Sequence, residues 1–199
     1  IISLPLVHIS GMYGVTMCVI EGRQLALMER FDILAWAELV REHKPIFTGM
    51  PPTGLRMLLD AKVPKEHLAS LRAFKVSTAP LDPALAEEFQ AVYGIPVLQG
   101  YGATEFTGEV AGWTIQDYMA HAKDKRGSVG RAHRDVELRV VDPDGDEDVP
   151  AGEQGVLLVR SPHSAGMAAG EWVRTNDLAR LDADEVDRIT VGGSAGDVD

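Results

Sequence analysis

Residues 74–105 have the sequence FKVSTAPLDPALAEEFQAVYGIPVLQGYGATE, and the elements it encodes decide the fold. Asp82 is a favourable N-cap, the proline after it suits the first helical position, and Gly94 can end the helix. Short apolar runs lie on either side, at Phe74–Val76 and Ile95–Leu98. A strand, a helix and a strand of these lengths predict a βαβ unit with parallel strands and a right-handed crossover.

The rest of the first half continues this alternation of helices and strands. Apolar residues at helical spacing follow Asp32 and Pro51, and each run predicts a helix. Ile46-Phe47 between them predicts a short strand. The opening run Ile1–Val7 is also apolar and has the pattern of a strand. We therefore predict an α/β subdomain over residues 1–125, with part of a parallel sheet.

The second half shows strand patterns alone. Val136–Val141 and Gly155–Arg160 alternate apolar and polar residues, and a turn-rich link joins them. The acidic run Asp142–Asp148 within that link has some likeness to a calcium loop. Its glycine stands fourth where such loops need it sixth, so a hairpin turn is the simpler interpretation. These patterns predict an antiparallel sheet or a small β-barrel over residues 126–199.

Composition excludes several classes of partner. The chain has 30 Asp and Glu against 19 Lys and Arg, a formal charge of -11, which argues against nucleic acid and anionic membranes. No apolar run is close to the length of about 20 residues that is needed to span a bilayer. The lone Cys18 cannot form an internal disulfide. We expect a cytoplasmic protein with no transmembrane segment, and the oligomeric state stays open. Because residue 1 is Ile1 and the chain stops at Asp199 without a closing element, we expect part of a longer protein.

Two segments follow the strands of the predicted βαβ unit, where an open parallel sheet places its ligands. They are Ser77–Pro80 and Gly100–Glu105. In the second, glycines let the backbone approach a ligand, Tyr101 offers a stacking face, and Thr104 offers a hydroxyl. Glu105 offers a hard oxygen ligand for Mg²⁺. This composition suits a nucleotide or phosphate site; the alternative is a glycine-rich turn that ends in a solvated Thr-Glu pair.

The segment Gln99–Glu105 resembles the tyrosine-glycine-x-threonine-glutamate motif of the adenylate-forming superfamily, and the likeness is greatest to its acyl-CoA and fatty-acid–CoA ligases. That superfamily also includes peptide-synthetase adenylation domains and luciferases. Asn176 stands where one of its motifs has glycine. The resemblance extends over essentially all 199 residues. Further segments match in the family's order: Pro5–His8 with Gly11, Ser77–Pro80, Gly127–Gly130, Gly152–Gly155 and Trp172–Leu178.

The resemblance implies a role for each matching residue. Tyr101 would stack on adenine, and Thr104 would hydrogen-bond the α-phosphate. Glu105 would hold Mg²⁺, and Asp177 would accept hydrogen bonds from the ribose hydroxyls. Thr104 and Glu105 would thus be the catalytic pair. The implied nucleotide-binding set is Ser77, Thr78, Ala79, Pro80, Gly100, Tyr101, Gly102, Thr104 and Asp177.

The resemblance also implies an acyl site. His8 would lie near the reacting carboxylate; its alternative is a histidine of no consequence at a strand end. Gly100, Gly102 and Val110 would shape the acyl channel, and their small size favours a fatty or other hydrophobic acid.

Three departures from the family pattern bear on activity. The glycine-rich Ser/Thr loop that grips the β- and γ-phosphates would lie upstream of Ile1, and the domain with the catalytic lysine would lie downstream of Asp199. Where the family has an arginine for the ribose, this chain has Gly193 or Ser194.

The resulting expectation is a fragment of the large domain of an acyl-CoA ligase. The full protein would use ATP and Mg²⁺ to form an acyl-adenylate and pass the acyl group to coenzyme A. We expect the fragment alone to be inactive. The alternatives are an adenylation domain that loads a carrier protein, and a truncated, non-catalytic chain that only binds a nucleotide or acyl ligand.

Overall fold

The computed structural model describes residues 1–164, 170–185 and 187–194. The chain divides into two compact units, Ile1–Leu98 and Gln99–Asp199. The predicted boundary at residues 125 and 126 lies inside the second of these units and stays a prediction. The segment after Leu98 pairs antiparallel with Gly108–Gly112, so it is part of the second unit.

The first unit consists of four helices and the strands of a parallel sheet. Phe47–Gly49 pairs in parallel with Ala73–Val76, and the Phe74 N–H donates to the Pro96 carbonyl just before the third strand. This arrangement confirms the α/β fold with a parallel-sheet region. Its elements are α1 (Ile9–Ile20), α2 (Ile33–His43), β1 (Phe47–Gly49), α3 (Pro52–Asp60), a 3₁₀ turn (Lys65–Leu68), β2 (Ala73–Val76), α4 (Pro83–Tyr93) and the start of β3 (Val97–Ala103).

Local signals placed most of these helices correctly. The Asp32 carboxylate accepts from the Ala35 N–H at 2.8 Å and caps α2. Asp82 caps α4 in the same way, and Gly94 ends that helix with φ 72°. Trp36 in α2 then packs on Phe74, with ring centroids 5.8 Å apart, in the core of this unit.

Helix α1 was not predicted. Ile1–Val7 was expected to be a strand, but the structure shows only an isolated bridge between Ile2 and Leu27, and the chain enters α1 after His8. The sequence ISGMYGVTMCVI is apolar almost all round, so it lacks the polar face that makes a helix recognisable. Val19 and Ile20 are both 72% exposed. None of the helices in the described part of the chain is long and apolar enough to cross a bilayer.

The second unit is built around an antiparallel sheet. Its strands follow the order β3, β4 (Gly108–Gly112), β5 (Gly130–Ala132), β9 (Arg188–Ser194), β8 (Val173–Leu181), β7 (Gln154–Arg160) and β6 (Glu137–Val141). The predicted hairpin is confirmed, since Glu137–Val141 pairs antiparallel with Gln154–Arg160. The elements after β3 are a 3₁₀ turn (Thr104–Phe106), β4 (Gly108–Gly112), α5 (Ile115–His121), β5 (Gly130–Ala132), β6 (Glu137–Val141), β7 (Gln154–Arg160), β8 (Val173–Leu181) and β9 (Arg188–Ser194).

A buried arginine ties α5 to β9. The Arg188 side chain is fully buried and lies 4.3 Å from the centre of the Trp113 ring. It donates to Asp117 at 2.8 Å and to Glu185 at 2.6 Å. Burial raises the pKa of Asp117, but the hydrogen bonds from Arg188 and Arg131 outweigh burial and hold that pKa below its usual range. Asp117 is therefore ionised in the folded protein at neutral pH.

We expect Arg188→Met to lower the free energy of unfolding by at most about 3–5 kcal/mol, because Asp117 and Glu185 would lose a fully buried cation and keep Arg131. The deficit should shrink on acidification. The folded-state pKa of Asp117 is depressed, so the stabilisation is present above its unfolded pKa of about 3.9 and is lost as the pH falls through the folded pKa. Urea unfolding between pH 7 and pH 3 measures both effects. Arg180→Met, at an exposed position of β8, is the matched control and should change little.

Candidate functional site

Tyr101 and Asp177 lie together in the second unit, although 76 positions separate them in sequence. The Tyr101 hydroxyl on β3 donates to Asp177 Oδ2 on β8 at 2.5 Å. Burial, and then the hydrogen bond to Asp177 and its charge, raise the pKa of Tyr101 well above its usual range. The phenol thus stays protonated and remains the donor. The structure brings together one residue from each of two separate sequence motifs.

The backbone of β8 bulges where it presents Asp177. Val156 pairs with Leu178 and Leu158 pairs with Arg174, so three residues of β8 lie opposite Leu157 alone. The Thr175 hydroxyl compensates for the interrupted ladder, because it accepts from the Asp177 N–H at 3.1 Å and donates to the Leu157 carbonyl at 2.9 Å. A bulge of this kind re-aims a side chain out of the regular strand pattern.

We expect Thr175→Val to disturb the position of Asp177 while leaving the Asp177 side chain itself unchanged. Valine keeps the shape of threonine but leaves the Asp177 N–H and the Leu157 carbonyl without the hydroxyl they share. The expected cost is about 1–3 kcal/mol in unfolding free energy. Thermal denaturation measures it. Thr190→Val on β9, at an exposed position, is the control; equal effects of the two substitutions would contradict this role for Thr175.

The departures around Asp177 are compatible with this backbone. Asn176, where the family has glycine, is exposed and does not have a positive φ, so the bulge makes no demand that only glycine meets. In β9 the register partner of Asp177 is Ser194. Of the two positions considered for the missing arginine, Gly193 and Ser194, the backbone thus places Ser194 directly across from Asp177.

Thr104 and Glu105 occupy a single 3₁₀ turn at the end of β3. Both residues are exposed, while Phe106 beside them is buried at 3% exposure and anchors the turn in the core. The charge of Glu105 makes the smallest of the contributions that raise the pKa of Tyr101. The Glu105 carboxylate is exposed and therefore open to a ligand.

This turn suits a magnesium ion that is held by one carboxylate together with substrate phosphates. Residues 1–164, 170–185 and 187–194 contain no group of three His, Cys, Asp or Glu side chains that could enclose a metal. Mg²⁺ is commonly held by one or two carboxylates together with substrate phosphates, so a single exposed carboxylate such as Glu105 suits that mode. Glu105 would then be the protein's ligand to an ion that arrives with the nucleotide.

The Ser77–Pro80 loop follows β2 in the first unit. Thr78 has φ 74°, a left-handed conformation that is strained for a β-branched residue. Such strain clusters at ligand-binding positions. Ser77 is half-buried and lines a cavity of about 320 Å³, while Thr78, Ala79 and Pro80 are exposed.

His8 belongs to the first unit as well. It is exposed, and its Nδ1 accepts from the Ser10 N–H at 3.1 Å, which makes it the N-cap of α1. No strand precedes His8 in residues 1–7, so its predicted place at a strand end is wrong, and the alternative that it has no functional role stays open. The acyl-site role of His8 stays a prediction.

The predicted acyl-channel residues meet different surroundings. Val110 is 1% exposed and packs in the core of the second unit with Phe106 and Ile189, and its role in shaping the acyl channel stays a prediction. A side chain on Gly102 would collide with the β4 backbone at Gly108. Gly100 is buried, and a side chain there would overlap the Glu109 carboxylate.

An arginine from β8 binds the acidic hairpin between β6 and β7. Arg174 on β8 donates to the carbonyls of Asp142, Pro143 and Gly145 at 2.8–3.0 Å and to the Asp146 carboxylate at 3.1 Å. These are oxygens that a calcium ion would need. A guanidinium that holds the turn together supports the hairpin interpretation of this run.

A histidine–glutamate pair that the motifs do not indicate lies where β4 begins and β5 ends. Glu109 and His133 form a pair, with His133 Nε2 3.0 Å from Glu109 Oε1. Neither belongs to a quoted motif, and 24 positions separate them. The only available signal was a glutamate within an otherwise apolar strand.

Comparison with known proteins shows one consistent relationship. The family model described as "AMP-binding enzyme" matches residues 1–170. The chain is 32% identical to 4-coumarate–CoA ligase-like 9 of Arabidopsis thaliana over 207 residues, which cover 94% of this chain and 36% of that protein. It is 30% identical to 4-coumarate–CoA ligase 1 of Petroselinum crispum, with 94% and 38% covered. The chain thus spans under two-fifths of the length of these relatives.

Solved structures agree. The o-succinylbenzoate CoA synthetase of Bacillus subtilis in complex with its acyl-adenylate intermediate has a TM-score of 0.83 at 26% identity, covering 98% of this chain and 40% of that one. The same enzyme in complex with ATP and magnesium gives 0.81 at 25% identity, with 98% and 41% covered.

Proposed function

Because this chain belongs to the AMP-binding enzyme family, we propose that it is part of the large domain of an ATP-dependent acid–CoA ligase. The observation that carries the proposal is the hydrogen bond between Tyr101 and Asp177. It joins the two motifs that the resemblance assigns to adenine and ribose. The full protein would convert a carboxylic acid and ATP into an acyl-adenylate and pyrophosphate, and then transfer the acyl group to coenzyme A.

Each residue would act on a separate part of the nucleotide. The Tyr101 ring would stack on adenine, and the loop Ser77–Pro80 would border the base. The Asp177 carboxylate would accept hydrogen bonds from the ribose hydroxyls, which suits an ionised acceptor. The Thr104 hydroxyl would donate to the α-phosphate. Held by Glu105, Mg²⁺ would supply charge to offset the phosphates.

Charge stabilisation is what this arrangement contributes to the first step. The acid's carboxylate oxygen attacks the α-phosphorus, and the bond to the pyrophosphate oxygen breaks. Negative charge on the α-phosphate grows during the attack. Thr104 and Glu105 would act where that charge develops, so their interactions would be stronger in the transition state than with bound ATP.

We propose an aromatic carboxylic acid as the substrate class, in place of the fatty acid that the sequence favoured. The named relatives are ligases of 4-coumarate and of o-succinylbenzoate, both aromatic acids. Their names also support coenzyme A as the acceptor over a carrier protein. No contact in the described residues favours a non-catalytic chain. Since these 199 residues span under two-fifths of the relatives' length, we expect them to form no acyl-CoA alone.

The experiment is acid-dependent exchange of labelled pyrophosphate into ATP by the full-length protein. The panel comprises 4-coumarate, o-succinylbenzoate, benzoate, octanoate and palmitate, and coenzyme A is then added to follow thioester formation. Exchange with at least one aromatic acid, followed by thioester formation, is expected. Exchange with no acid would contradict the ligase proposal. Exchange with the fatty acids alone would contradict the substrate class.

A further inference from the structure

A carboxylate covers a pair of glycines on neighbouring strands of the second unit. Gly100 on β3 and Gly112 on β4 are register partners. A side chain added to Gly100 would overlap Glu109 Oε2, and one added to Gly112 would lie 2.5 Å from Glu109 Oε1. The Glu109 carboxylate therefore lies in the depression that the two missing side chains leave in the sheet.

His133 is the second polar group at this depression. Its backbone N–H donates to the Val110 carbonyl at 2.8 Å, which fixes the residue at the end of β5 beside β4. Its Nε2 lies 3.0 Å from Glu109 Oε1, and its ring carbon Cε1 would be 3.1 Å from a side chain on Gly112. The Glu109 side chain is 25% exposed and that of His133 is 43% exposed, so a ligand can approach both.

We propose that Glu109 and His133 form the part of the acyl site that selects acids carrying a hydrogen-bond donor, a hydroxyl or an amine, on the acyl group. The inference rests on the proposed function and on the acyl-site role that the resemblance implies for Gly100. His133 orients the carboxylate through Oε1, and the donor of the acid bonds to the same carboxylate group.

The hydrogen-bonding capacity of the Glu109 carboxylate explains why acids with a donor would be selected. Its two oxygens offer about four acceptor positions, so the bond to His133 leaves capacity for a donor on the acid. A hydrocarbon group in the same place would remove water from Glu109 and return no hydrogen bond, which is costly for an ionised group. The pair thus disfavours plain alkyl acids as well as favouring donors.

The expected preference follows from the strength of a hydrogen bond to a charged acceptor. An acid with a donor should exceed its donor-free analogue by about ten- to a hundredfold in kcat/KM. The matched acids are 4-hydroxycinnamate, 4-aminocinnamate and 4-methoxycinnamate, of which the last keeps the size and loses the donor. Octanoate serves as the alkyl acid. The hydroxyl and amine arms show which donor the site prefers.

The test compares these acids in pyrophosphate exchange by the full-length protein and by Glu109→Leu. In the wild-type protein the donor acids should be preferred; in Glu109→Leu the preference should fall to within about threefold and 4-methoxycinnamate should improve. Glu109→Gln keeps the shape and should give an intermediate preference, which also covers the case that the leucine variant does not fold. Glu147→Gln, at an exposed position of the hairpin, is the control.

Each outcome decides between the two proposals. No exchange with any acid in the wild-type protein would overturn the proposed function and this inference with it. Exchange without a preference for donors, or with the same preference in both Glu109 variants, would overturn this inference and leave the ligase proposal standing.

Discussion

Replacing Glu105 by glutamine is expected to slow acid-dependent pyrophosphate exchange by about a hundred- to a thousandfold in the full-length protein. The substitution keeps the shape of the side chain and removes its charge. The proposed ligand to Mg²⁺ would be lost with that charge, and the charge of the ion would count most when the α-phosphate is attacked. The free energy of unfolding should change by less than about 0.5 kcal/mol, because the side chain is exposed on a short turn.

A large loss of pyrophosphate exchange without a loss of stability would identify Glu105 as a functional residue. A structural residue would change stability and activity together. Exchange is therefore measured at rising Mg²⁺ concentrations beside urea unfolding of the same variant. Glu147→Gln removes an equivalent exposed charge from the hairpin and should leave exchange unchanged. If exchange by Glu105→Gln equals the wild-type rate at saturating Mg²⁺, the assignment of Glu105 is wrong.

The second large effect is expected at Asp177. Asp177→Ala should weaken AMP binding by about ten- to a hundredfold, because it removes the charged group that we propose as the acceptor of the ribose hydroxyls. It also leaves the Tyr101 hydroxyl without the acceptor it has at 2.5 Å. Tyr101→Phe separates the two contributions, since it removes the same hydrogen bond and keeps both the aromatic ring and the carboxylate.

Calorimetric titration with AMP measures these affinities. We expect Tyr101→Phe to keep most of the AMP affinity, whereas Asp177→Ala should lose most of it. Asn176→Ala, one position away and exposed on the same bulge, is the matched control and should bind like the wild-type protein. Equal losses in Tyr101→Phe and Asp177→Ala would assign the effect to their mutual hydrogen bond and would contradict direct contact with the ribose.

Local chemistry explains why part of the fold was predictable. Asp82 and Gly94 mark the ends of α4 through a cap bond and a left-handed φ, and both features are properties of single residues. Helix α1 offers the opposite case. Its apolar residues surround the axis, so periodicity shows no contrast, and its cap is a histidine, which is not a usual capping residue.

The candidate site likewise has residues that local motifs predict and contacts that they do not predict. The resemblance supplied Tyr101, Thr104, Glu105 and Asp177 from their motifs. It could not supply the bulge in β8, because that depends on which residue of β7 lies opposite Thr175. Nor could it supply the pairing of Glu109 with His133, which depends on the register of β4 and β5. Contacts set by strand register lie outside what spacing along one chain can show.

The central claim is that Asp177 binds the ribose of a nucleotide, and its most direct test removes the hydroxyls from the ligand. AMP and 2′,3′-dideoxy-AMP are titrated calorimetrically into the full-length protein and into Asp177→Ala. The account predicts that the wild-type protein binds AMP about ten- to a hundredfold more tightly than the dideoxy analogue, and that the variant binds both with the same affinity. A variant that keeps the wild-type preference for AMP would contradict it.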